Sequence, residues 1–315
     1  MNSKKASKKK SFGARVVQDF ARNWPIYLMA LPVLAFFIVF SYKPMVGIII
    51  AFKTYKPNLG IWGSPWAPNY GFYHFISFFE SIFFKRVVVN TLMLSLYDLV
   101  YGFPAPIILS ILLSELTNQK FKKVVQTITY FPHFISAVVI CGMVRQFAMS
   151  DGLLNIIAGW FGAEPVSMLQ QPDYFRGIFT GTNIWQGVGW ASIIYLAAIA
   201  GVDQGLHEAA ALDGAGRFRR IWHITLPGIK PTVVIMLIMQ IGRMMSVGHE
   251  KIILLYNESI YDTADVISTF VYRRGLLEFN WSFSTAVSLL NSVINFALVY
   301  VANAISRKVT ETSLF

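Results

Sequence analysis

Six stretches of this chain are too long and too apolar for loops: residues 24–42 (extended by 45–52), 87–113, 124–148, 174–202, 231–247 and 283–305. About 20 apolar residues cross a bilayer as one helix, and a helix satisfies its own backbone polar groups in hydrocarbon. The pattern predicts an all-α, polytopic membrane protein with six transmembrane helices. Only 14% of the residues are charged, against about 25% in soluble domains. The first run is too long for the apolar part of a signal peptide, and no small-residue cleavage site follows it. It reads as an uncleaved first span, with a kink expected at Lys43-Pro44.

Charge sets the orientation. The net charge of +11 could suggest a nucleic-acid partner, but no basic stripe interleaved with aromatics occurs in a soluble stretch. Seven basic residues precede the first span, three follow the second (Lys120, Lys122, Lys123), four follow the fourth (Arg217, Arg219, Arg220, Lys230) and two follow the sixth (Arg307, Lys308). Those segments hold 16 of the 27 Lys and Arg, so both termini are expected in the cytoplasm. Residues 1–23 read as a basic tail, 24–84 as the first span with an outer interfacial segment, 85–306 as a core of five helices, and 307–315 as a cytoplasmic tail. Residues 72–84 resemble an interfacial amphipathic helix, and residues 149–173 and 249–281 read as outside loops.

Between the fourth and fifth spans lies a short polar stretch, residues 203–228. Ala209, Ala210, Ala211 and Leu212 favour helix, Asp203 is a plausible N-cap, and Gly214 and Gly216 permit a sharp turn. A second short helix carries Arg217, Arg219, Arg220 and Trp222, and Leu226-Pro227-Gly228 is expected to stop it and start the next span. The spacing Glu208-Ala209-Ala210, Asp213-Gly214-Ala215, then Ile224, Leu226 and Pro227 resembles the cytoplasmic coupling loop of ABC-importer permeases. Asp213-Gly214-Ala215 is similar to the variant of sugar importers. Residues 50–53 and 63–66 resemble a subfamily that handles complex sugars and oligosaccharides, tied to lipoprotein- and polysaccharide-linked systems. The resemblance implies a type I ABC-importer permease fold with a cytoplasmic coupling helix, set in a bacterial plasma membrane. It implies separate ATPase subunits that carry ATP and Mg, a second, related permease chain, and an external sugar-binding protein.

The rest of the chain offers little chemistry. No Gly-x-x-x-x-Gly-Lys-Ser/Thr phosphate loop occurs, so no cofactor is expected on this chain. The five histidines are scattered, the single Cys141 falls inside an apolar run, and no nucleophile–base cluster or metal-ligand spacing is legible. No catalytic or metal residue is assigned. Polar residues within spans are more informative, because an unpaired one in lipid is costly. Ser284, Ser288, Asn291 and Asn295 recur at helical spacing, and Asn183, Gln186 and Trp190 share a face with Trp185 beside it. Amide groups and aromatic faces are what a sugar needs, so Trp185, Gln186, Trp190, Asn291 and Asn295 are candidates for a substrate path; the alternative is bonding between helices. Arg243 is expected near an outer mouth, with Glu250 as a distant partner. Asp262, Asp265, Arg273 and Arg274 resemble the subfamily's outer gate, in contact with the binding protein or paired internally. A permease for peptides or amino acids, or a stand-alone channel, remains as the rival reading.

Overall fold

The computed structural model describes residues 12–310 and 313–314. The Lys-rich residues 1–10 fall outside them. Among the described residues the chain is helical, with one isolated bridge between Lys53 and Trp66. In chain order the main helices are α1 (Phe12–Phe37), α2 (Tyr73–Phe79), α3 (Phe84–Tyr97), α4 (Pro104–Ser114), α5 (Gln119–Tyr130), α6 (Ala137–Phe147) and α7 (Leu153–Gly159). They continue as α8 (Pro172–Ala200), α9 (Gln204–Leu212), α10 (Arg217–Arg220), α11 (Leu226–Ile241), α12 (His249–Leu255), α13 (Ile267–Tyr272) and α14 (Trp281–Thr310).

Four continuous segments are long and apolar enough to cross a membrane: Asp19–Phe52, Phe84–Ser114, Arg217–Ile241 and Trp281–Val309. Two bent pairs bring the total to six. The third span differs from the straight helix expected over residues 124–148. Pro132 sits in a tight turn (Phe131–Phe134), and the halves on either side are bent by 102°. The fourth, α8, turns by 69° into α9.

Three of the prolines inside these spans share one device. A wide π-turn ends two residues ahead of Pro44 (Ile38–Tyr42), of Pro104 (Asp98–Gly102) and of Pro227 (Ile221–Thr225). Proline donates no backbone N–H and its ring crowds the carbonyl four residues back. The extra residue of a π-turn removes that crowding without breaking the helix. This corrects the expected stop at Leu226-Pro227. The helix runs unbroken from Arg217 to Ile241, 25 residues.

The core lies among α3, α6, α8 and the segment that follows α11. Leu94, Ile140, Cys141, Val144, Phe175 and Phe179 close on Ile252, Leu255, Ile260, Ala264 and Val266. A second cluster joins Phe78, Val87, Met245, Ile267, Phe270, Phe283 and Val287. Residues 249–281 are therefore not a surface loop. Their apolar side chains fill the bundle, and short helices let the backbone satisfy itself while it turns inside. Within 72–84 only Tyr73–Phe79 is the expected short helix, and its Phe78 points into the second cluster.

Candidate functional site

Two regions carry polar chemistry, and one helix joins them. The first is the stretch between α8 and α11. Asp203 caps α9 as expected, its carboxylate accepting from Gly205 N–H at 2.8 Å. α9 ends in a Schellman motif: Ala215 N–H donates to Ala210 O at 2.8 Å and Gly214 N–H to Ala211 O at 3.1 Å. The motif needs a left-handed residue, which Gly214 supplies at φ 76°. No residue of α9 is buried; Glu208, Ala209 and Asp213 face outward. Leu212 and Phe218 are each 90% exposed, so two large apolar side chains stand out from a charged loop. Ile224 and Leu226 are half-buried where the helix enters the bundle, and Pro227 is exposed. Gly228 lies so close to Val202 that an added Cβ would meet its methyl groups, which fixes α11 against the α8–α9 bend.

The second region is a polar cavity of about 350 Å³ between α3, α8 and the break between α11 and α12. Ser95, Asp98, Asn183, Gln240, Arg243, Glu250 and Lys251 supply its polar wall. Asp98 accepts from the Gln240 amide, and Lys251 Nζ donates to Asn183 Oδ1 at 2.7 Å. A smaller cavity of about 200 Å³ continues toward α4 and the start of α11, past Gly102, Pro106, Gly187, Ala191 and Met236. Asp98, Asn183 and Gln240 border both cavities, so they form the constriction between them. Burial pushes the Lys251 ammonium pKa down, while the carboxylates of Glu250 and Asp98 act against that shift.

The residues singled out from the sequence distribute as follows. Arg243 lines the larger cavity beside Glu250, although no continuous helix joins the two. Trp185, Gln186 and Trp190 lie on the side of α8 that meets α5 and α6. Trp185 borders an apolar pocket, Gln186 donates to Ile135 O at 2.9 Å, and Trp190 stacks on His133 at 4.6 Å. Asn295 ties α14 to the end of α11, accepting from Met245 N–H at 3.0 Å and donating to Ser246 Oγ at 2.7 Å. Asn291 lines a separate cleft with His249, Ser268 and Tyr272.

The charged outer group is mostly internal. Asp265 is 0% exposed and accepts from Arg86 at 3.2 Å and Arg273 at 2.7 Å. A carboxylate so enclosed is not presented to another protein. Arg274 pairs with Glu278, whereas Asp262 stays at the surface. Asn90, buried at the start of α3, donates to the carbonyls of Asp262 and Asp265 at 2.9 and 3.0 Å and accepts from Arg176.

Comparison with known proteins decides the family. Residues 75–311 match the model for the inner membrane component of binding-protein-dependent transport systems. The chain belongs to that family. This permease is 42% identical to Protein LplB of Bacillus subtilis over 92% of its own length and 91% of that protein. It is 41% identical to the polygalacturonan/rhamnogalacturonan transport system permease protein YteP of the same organism, over 98% and 95% of the two chains. It superposes with TM-score 0.86 and 42% identity on a chain of the crystal structure of a bacterial alginate ABC transporter in complex with an alginate pentasaccharide-bound periplasmic protein. That match covers 95% of this permease and all of that chain. The fold is thus the type I ABC-importer permease fold, and the chain is a multi-pass transport subunit rather than an enzyme.

Sequence reasoning passed over two residues of the constricted cavity. Asp98 is a lone carboxylate inside an apolar span, a signal that by itself marks an intramembrane functional site. Lys251 carried no such signal, because it sits in a segment assigned to an outside loop.

Proposed function

We propose that this permease imports a carbohydrate, an oligosaccharide handed over by an external binding protein, with ATP and Mg held on separate ATPase subunits. The observation that carries this reading is mechanical. The exposed loop from Glu208 to Pro227 is continuous with the helix that carries Gln240 in its last turn, on the constriction between two cavities. The names of the relatives supply the substrate class: YteP is named for polygalacturonan and rhamnogalacturonan, and the solved relative for alginate.

In this reading α9 docks on an ATPase through Glu208, Ala209 and Ala210, with the exposed Leu212 and Phe218 nearby in sequence. Closure of the ATPases moves α9 together with α8 and α11, and the cavities open alternately to either side. A second, related permease chain completes the path. Both termini face the cytoplasm of a bacterial cell, as the distribution of Lys and Arg supports.

The test is disulfide crosslinking from cysteines placed at Ala209 and Asp213, with the assembled transporter in its native membrane. Capture of an ATPase subunit is expected. Labelling of either position by an impermeant thiol reagent from the outer face of intact cells would refute the reading. Glu208→Arg is expected to abolish sugar uptake and its coupling to ATP hydrolysis while the protein remains inserted.

A further inference from the structure

The larger cavity holds charges that do not pair with one another. Among the described residues, ion pairs form at Arg86, Arg273, Arg274 and their carboxylate partners, and none includes Asp98, Arg243, Glu250 or Lys251. Asp98 is occupied by the Gln240 amide and Lys251 by the Asn183 amide. Each of these two charges is thus held by a neutral amide rather than by the other. Lys251 is half-buried and its ammonium is held by an amide rather than a carboxylate, so it keeps donors for an anionic partner, and the exposed Arg243 lines the same cavity.

We propose that Lys251, aided by Arg243, binds the carboxylate of an acidic sugar, so that the transported oligosaccharide contains uronate residues. This inference rests on the carbohydrate reading above. The chemistry fits both sets of charges. A uronate carries one carboxylate, which takes up charge-assisted hydrogen bonds from Lys251 Nζ and the Arg243 guanidinium. It also carries hydroxyls, which donate to Asp98 and Glu250. A neutral sugar satisfies only the second pair and offers the two cations no carboxylate. The cavity, about 350 Å³, lies within the roughly 300–1,000 Å³ range of small-ligand sites. Both cations come from the segment between Gly242 and Leu255 that links α11 to the core. The chemical class agrees with YteP, named for polygalacturonan, and with a solved relative described as importing the acidic polysaccharide alginate.

The test uses the whole transporter, reconstituted in vesicles with its partner subunits and binding protein. The probes are a galacturonate trisaccharide and the neutral galactose trisaccharide of the same linkage. Wild-type protein is expected to take up the charged probe in preference. Lys251→Gln is expected to lower that uptake roughly tenfold, the size of one lost charge-assisted hydrogen bond, and to lower uptake of the neutral probe by a much smaller factor, so that the preference for the charged probe is lost. Lys251→Arg, which keeps the charge, is expected to restore the preference. Equal losses for both probes in Lys251→Gln mean that Lys251 only shapes the cavity, and the proposal fails. Wild-type uptake of the neutral probe alone overturns the proposal and leaves the carbohydrate reading standing. Wild-type uptake of neither probe removes both.

Discussion

At the scale of single residues, Asp265 bears the largest local consequence outside the cavity. Its carboxylate is fully enclosed and accepts from two guanidinium groups and from Thr269 Oγ1 at 2.9 Å. Removing one partner of a buried pair leaves the other charges uncompensated, at about 3–5 kcal/mol. Asp265→Asn is expected to lower the unfolding free energy by about 3 kcal/mol in detergent, whereas the exposed Asp262→Asn stays within about 0.5 kcal/mol. His74 gives a pH-dependent counterpart. It is buried, its Nε2 lies 3.2 Å from Lys53 O, and burial pushes its pKa below the usual histidine value. The unfolded chain then binds the proton more readily, so stability falls as pH drops below about 6.5. Melting temperatures measured between pH 7.5 and 5.5 are expected to decline, and His74→Gln is expected to flatten that decline. Among polar residues, legibility followed local pattern. Asp203 and Gly214 announced their capping roles through neighbours in sequence. The pairing of Asp98 with Gln240, or of Lys251 with Asn183, depends on packing between distant segments and left no trace in spacing.

At the scale of elements, α8 runs beside α4, α5 and α11, and its glycines separate into two kinds. An added Cβ at Gly189 would collide with the Thr129 backbone of α5, while one at Gly181 meets nothing within 4 Å. Gly189→Ala is expected to force the helices apart at about 1–3 kcal/mol. Gly181→Ala is expected to be neutral or to stabilise by about 0.5–1 kcal/mol, because it restricts the unfolded chain. Thermal unfolding of the two variants side by side checks both. Of the two, only Gly189 sits at a close helix approach within this chain. The spans themselves were legible because hydrophobicity alone places them, and α9 was legible because its cap and turn residues are local. The sharp bend at Phe131–Phe134 was not: a proline near a helix start reads as harmless, and the turn depends on what α8 offers beside it. Residues 249–281 were misread for a related reason. Charged residues break their apolar pattern, yet burial there is achieved by several short helices, none long enough to show a period.

At the scale of the whole molecule, the first apolar span stands apart. The apolar window within Asp19–Phe52 buries none of its residues inside the chain, whereas the last turns before Phe52 lie against α14. Its side chains therefore face lipid or another subunit. Replacing residues 19–37 with an unrelated Leu-rich span is expected to leave the melting temperature of the remaining chain within a few degrees, while the same exchange in α8 abolishes folding. The helix from Arg217 to Ile241 has the opposite character. At 1.5 Å per residue it is about 37 Å long, two α-helical stretches joined through one π-turn without a break in the helix. Such a strut does not compress. Displacing its foot obliges its head to slide, and the amide at that head is the one gripping Asp98. Under the proposed docking of an ATPase on α9, linkage makes the exchange symmetrical: cargo that loosens that grip also alters how firmly the ATPase holds the foot.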